Sequence, residues 1–241
     1  MTGVAQAETR QIGVLLRGEP DSLIAWVEQS DVWRVATCVG VIVAGAWLYG
    51  AAMGWWRAPL QAVFVSIKFP LIILLTTMGN ALLNAMLAPL LGLNLGLRQS
   101  FLAILLSFTI ACAILGSFSP LVAFFVWNAP PMSPDARQSS GVYSFIMLMH
   151  VSVIAFAGIA GNLRLLQLLQ HFSGGNRAIA RRVLFAWLAG NLFLGSQLSW
   201  VLRPFIGSPG LAVEFLRKDA FHGNFYETVF QSLLKVLTIN Q

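Results

Sequence analysis

Thr77, Asn80 and Asn84 fall at i, i+3 and i+7, which sets three polar side chains on one face of any helix that holds them. An asparagine amid hydrocarbon needs a partner. This face therefore either packs in an interhelical hydrogen-bond network or lines a groove for a solute. Asn191, Ser196, Gln197 and Ser199, far downstream, are the candidate partners. His150 is the one histidine set within an apolar run. As a haem or pigment ligand it would need an open pocket, and a bis-histidine haem would need a second buried histidine, whereas His171 and His222 lie outside the apolar runs. The alternative is a hydrogen-bonded interfacial histidine, and no cofactor is assigned. Arg203 follows Trp200 where an apolar run ends. A guanidinium there either caps the last helix carbonyls or pairs with a lipid phosphate, with Trp200 anchoring the interface, or the two belong to a docking surface.

Other chemistry is missing from the pattern. There is no Walker A, GxSxG, HExxH or post-strand GxGxxG motif and no paired carboxylates, and Gly174–Gly175 reads as a turn. Cys38 and Cys112 lie in apolar runs, where a thiol behaves as a small hydrophobe, so no disulfide or metal site is expected. The expectation is a protein that is not an enzyme.

The elements that must position these residues follow from composition. The 241 residues are 57% hydrophobic and 10% charged, with a mean hydropathy of +0.75. A soluble domain carries about 25% charged residues, so a water-soluble fold is excluded. After Asp31 the next acids are Asp135 and then Glu214. Five stretches match the roughly 20 apolar residues needed to cross a bilayer. They are 35–54, 70–92, 101–127, 142–165 and 183–202. No Asp, Glu, Lys or Arg lies near the middle of any of them, so a carboxylate proton relay has no candidates. Pro70 is placed at the start of the second span, Pro89 at its exit, and Pro120 is expected to kink or end the third.

The fold class is all-α: a bundle of five transmembrane helices (35–203) between an amphipathic N-terminal arm (1–34) and a C-terminal extramembrane lid (204–241). Arg164, Arg177, Arg181 and Arg182 form a loop cluster without an acid, which predicts that this loop is cytoplasmic, the N-terminus inside and the C-terminus outside. Arg57 and Lys68 then fall on the outer side. They fit if residues 55–69 form an interfacial segment with Trp55 and Trp56 at headgroup depth and Lys68 snorkelling. The arm holds five acids against three bases and lacks a signal-peptide pattern, which makes the first span an uncleaved anchor. The bases are spaced along membrane ends with no base-reading motif, so nucleic acid is not an expected partner.

Small residues at Gly50, Gly54, Ala157 and Gly161 supply seams for close helix packing, within the chain or onto another subunit. In the tail, Pro204, Gly207, Pro209 and Gly210 impose a turn, and residues 224–237 follow a helical pattern with Phe225, Val229 and Leu233 on one face. Phe205, Phe215, Phe221, Phe225, Tyr226 and Phe230 put aromatic surface outside the bilayer and must be covered.

The run Gln197-Leu198-Ser199-Trp200-Val201-Leu202-Arg203-Pro204-Phe205-Ile206-Gly207-Ser208-Pro209-Gly210, followed by Phe215-Leu216-Arg217 and Gly223-Asn224-Phe225-Tyr226, resembles an uncharacterised family of bacterial multi-span membrane proteins. The segments Tyr49–Gly54 and Leu60–Ala62, leading to Lys68–Leu71, share the resemblance. The five-span layout is also similar to that of the Yip family of membrane-trafficking proteins. The resemblance implies a bacterial inner-membrane protein and carries no catalytic residue. The favoured function is an integral-membrane subunit or scaffold that holds other membrane subunits, or a second copy, through its small-residue faces and tail, with Trp200, Arg203, Phe205, Arg217, Asn224, Phe225 and Tyr226 as the docking or capping set. The alternatives are a channel or carrier for an uncharged or anionic solute along Asn80 and Asn84, and a cofactor-bearing subunit using His150.

Overall fold

Asp31 opens the first long helix by accepting the Arg34 backbone N–H on its carboxylate at 2.8 Å, which satisfies one of the donors a helix start leaves unpaired. The computed structural model describes residues 20–29, 31–131, 136–203, 206, 212–218 and 220–227. They form six helices: α1 (Pro20–Glu28), α2 (Val32–Trp55), α3 (Pro59–Leu90), α4 (Leu97–Asn128), α5 (Ala136–Phe172) and α6 (Arg177–Leu202). No strand occurs among the described residues. Helices α2 to α6 are long and apolar enough to span a membrane, and the chain is an all-helical, multi-pass bundle.

Helix α3 departs from the expected boundaries. Its 32 residues begin at Pro59, behind an extended Ala58, and run without a break through Lys68, Phe69 and Pro70. Residues 59–69 therefore belong to the same helix as the second span, and Pro70 is an interior proline. The proline removes one helical hydrogen bond, but packing holds the helix across it. A Cβ on Gly50 would lie 2.8 Å from the Val65 carbonyl oxygen, and one on Gly54 would lie 2.7 Å from Ala62 Cα. At α2 residues 50 and 54, glycine lets the two backbones touch. Hydropathy falls at Arg57 and Lys68, whereas the backbone must stay helical until water or a loop can satisfy it. Trp56 is buried, and its indole N–H donates to the Pro130 carbonyl at 3.0 Å. Pro120 does not end α4, which continues to Asn128.

The small-residue seams are used inside the chain. Gly45 lies against the Cys112 backbone and Gly161 against Ser107. Helices α2, α3 and α4 form the core, α5 packs on α4, and α6 packs mainly on α3. Trp26 and Val27 of α1 are buried against α4 and α5. Beyond α6, the expected helix over 224–237 is described only as the turn Phe225–Glu227, opened by the Asn224 side chain accepting from the Glu227 N–H at 2.8 Å. The rest of that helix, Phe205, Phe230 and the arm before Pro20 lie outside the described residues.

Candidate ligand cavity and the polar seam beneath it

The polar face of α3 meets α6. Asn80 Nδ2 donates to Asn191 Oδ1 and, at 3.4 Å, to the Trp187 carbonyl. Gly190 permits the approach, since a Cβ there would lie 2.6 Å from Asn80 Oδ1. Thr77 turns inward on its own helix and donates to the Ile73 carbonyl at 2.7 Å. Asn80 and Asn84 are both fully buried, so they line a closed seam and not an open groove. Both amide atoms of Asn84, the Trp187 indole N–H and Thr76 Oγ1 have no partner among the described residues.

This asymmetry makes a prediction. Asn80→Leu strands the Asn191 amide and should lower stability in detergent by about 1–3 kcal/mol. Asn84→Leu removes a buried amide that has no partner among the described residues and should leave stability unchanged or raise it. Parallel melting curves decide; equal losses in the two variants would mean that Asn84 is bonded.

Above the seam, α3, α5, α6 and a C-terminal strap (described over 212–218 and 220–227) enclose a half-open cavity of about 720 Å3. Asn191 belongs to both. The lining is mostly apolar, with Met147, Leu192 and Phe225 among it, yet among the described residues four cations face it (Arg57, Lys68, Arg203 and Arg217) against one acid, Glu214. Lys68 lies nine residues into α3 and is 2% exposed. Contrary to the expected snorkelling, its ammonium donates to the Glu214 backbone carbonyl at 3.4 Å and sits 5.0 Å and 5.8 Å from the ring centroids of Phe215 and Phe64. None of these groups carries a full negative charge. Arg217 on the strap acts on both Lys68 and Arg57 as a like charge, and burial together with Arg217 lowers the pKa of Arg57 from its ordinary value.

The strap crosses the cavity from α3 to α6. At one side Phe215 packs edge-on against Phe64 with centroids 5.4 Å apart. At the other, the Phe225 N–H donates to Gln197 Oε1 at 3.5 Å, the Tyr226 hydroxyl donates to the Leu192 carbonyl at 3.3 Å, and the Tyr226 ring stacks on Phe193. Arg203 ends α6 in a left-handed conformation, with φ of 42°, which costs a non-glycine residue strain. Its N–H bonds the Ser199 carbonyl at 2.8 Å, its Nε donates to the Trp200 carbonyl, and its guanidinium lies 4.7 Å over the Trp200 ring. The Trp200 indole N–H is buried without a partner among the described residues.

Tyr143, Met147 and His150 share one face of α5, the first two lining the cavity and His150 one turn deeper. His150 is buried inside the bundle, with Nδ1 3.0 Å from the Tyr49 hydroxyl and Nε2 without a partner among the described residues. No cluster of three metal-ligating side chains occurs among the described residues. At the other end of the bundle, Arg177, Arg181 and Arg182 are exposed on the first turns of α6, and Arg164 on α5 donates to Gln167 Oε1 at 3.2 Å.

Thus Asn80 and Asn191 come together in the seam, while Gln197, Trp200, Arg203, Arg217, Phe225 and Tyr226 converge on the cavity or its strap. Lys68, Arg57, Gln61, Glu214 and Phe215 were not among the sequence candidates. The one signal for Lys68 was its position inside an otherwise unbroken apolar run from Ala62 to Leu75, interrupted by one serine. No family model, curated protein or solved structure matches the chain.

Proposed function

We propose that the protein is a non-enzymatic integral-membrane protein that holds an anionic solute in the strapped cavity, as the binding step of a carrier. The observation that carries this reading is the charge of the cavity: among the described residues four cations and one acid converge on it, and Lys68 is buried there. Like charges gathered where the dielectric is low raise one another's energy, and an anion among them reverses the sign. The test is thermal unfolding in neutral detergent at fixed ionic strength. Phosphate or sulfate should raise the midpoint, by as much as about 2.7 kcal/mol of added stability at a hundredfold excess over Kd. Sucrose and choline should not. An equal response to all four, or none, would contradict the reading.

The scaffold reading keeps one observation in its favour. The membrane-spanning windows of α5 and α6 are each only 17% buried, against 56% for α3 and α4, which leaves faces for a partner subunit or a second copy as well as for lipid. Co-purification of a stoichiometric partner in mild detergent supports it, and a clean monomer removes it.

The orientation in a bacterial inner membrane is read from the exposed arginines at the start of α6, which belong with the cytoplasm. Cys38 and Cys112 are buried, so introduced cysteines can be labelled against a quiet background. Ser173→Cys should be protected from an impermeant reagent outside the cell and Ser208→Cys labelled; the opposite pattern overturns the orientation.

A further inference from the structure

The cavity has two chemically different parts. Its cationic part gathers Arg57, Lys68 and Arg217 beneath the strap. Its apolar part descends along α6 to Leu192, which lines the cavity and is 69% exposed. Leu192 lies ten residues before the end of α6 at Leu202. At about 1.5 Å per residue that is about 15 Å, half the thickness of a hydrocarbon core of about 30 Å. With Leu202 at the membrane boundary, the cavity edge at Leu192 lies at acyl-chain depth, beside Tyr226 of the strap.

A small hydrated anion has no use for such a flank. An amphiphile needs both parts. The excess of positive charge also selects the head: a carboxylate brings one negative charge, whereas a phosphate brings up to two with oxygens that suit guanidinium forks. The volume, about 720 Å3, would seat a headgroup and the first part of a chain while the remainder stays in the bilayer. Resting on the anion reading above, we infer that the ligand is a phosphate-headed membrane lipid, which enters sideways past Leu192 and is held by its phosphate at Lys68, Arg57 and Arg217.

The experiment is native mass spectrometry of the full chain released from detergent, titrated separately with phosphatidic acid, phosphatidylcholine of the same chains, and inorganic phosphate. Phosphatidic acid should bind at one per chain and at least tenfold more tightly than phosphatidylcholine. Arg217→Gln, on the strap and so outside the packed core, should remove most of that preference. Leu192→Asn should weaken the lipid while sparing inorganic phosphate. Inorganic phosphate binding as tightly as the lipid would overturn the lipid inference and leave the anion reading standing. Binding of neither would overturn both. Lipid binding untouched by Arg217→Gln and Leu192→Asn would place the lipid elsewhere and overturn the inference.

Discussion

Lys68→Met is expected to weaken anion binding while leaving the empty protein as stable as before or more so. The two effects have opposite signs for one reason. In the absence of a ligand the ammonium is buried against a carbonyl and two ring faces, an arrangement that costs desolvation without an ion pair among the described residues. Methionine has similar length and carries no such cost. With an anion present, the same ammonium becomes one half of a buried charge pair. Truncating one partner of such a pair costs about 2–5 kcal/mol, which is about 30-fold to several thousand-fold in affinity. A structural lysine would behave differently, with stability lost and any anion response unchanged. Melting temperature and anion titration on the same preparation separate the cases.

Deleting everything after Gly210 should produce the second large effect. The five long helices end at Leu202 and should still insert, since none of their residues is removed. The cavity, however, loses Glu214, Phe215, Arg217 and Phe225, which contribute a cation and the aromatic cover over Lys68. Lys68 should pass from 2% exposed to open. Its acylation by an amine-reactive ester should quicken by at least tenfold, and the anion response should fall to background. If Lys68 stays unreactive in the truncated chain, α3, α5 and α6 alone bury it and the tail is not its cover.

How much of this was legible in the residues depends on which force sets each feature. The five spanning helices were readable because backbone groups in hydrocarbon leave no alternative to helix, and apolar runs near Ile42, Leu74, Ile110, Ile154 and Leu188 announce them. The Thr77, Asn80 and Asn84 face was readable from spacing, and so was a downstream amide as a partner. Which amide was not: Asn191 faces Asn80 because Gly190 lets α6 come close, a fact of pairing between residues more than a hundred positions apart. The start of α3 was misplaced because hydropathy averages the charges of Arg57 and Lys68 into a boundary, whereas packing across Gly50 and Gly54 keeps the backbone helical through Pro70. The cavity was hidden for the same reason. Its cations come from the α2–α3 connection, α3, the end of α6 and the strap, and nothing in local spacing joins them. Arg203 and Trp200 stood out by sequence as a helix end, while their place on a cavity wall follows only once the strap folds back over α6.

The central claim, that the cations under the strap hold an anion, is most directly tested by a cryo-electron microscopy map of the full chain in nanodiscs containing an anionic phospholipid. The account predicts density for a phosphate within about 3 Å of Lys68 Nζ, a charge-assisted hydrogen-bond distance, between the Arg57 and Arg217 guanidinium groups, with a chain leading out past Leu192. A map in which Lys68 remains on the Glu214 carbonyl and the cavity holds no density between the guanidinium groups would contradict it.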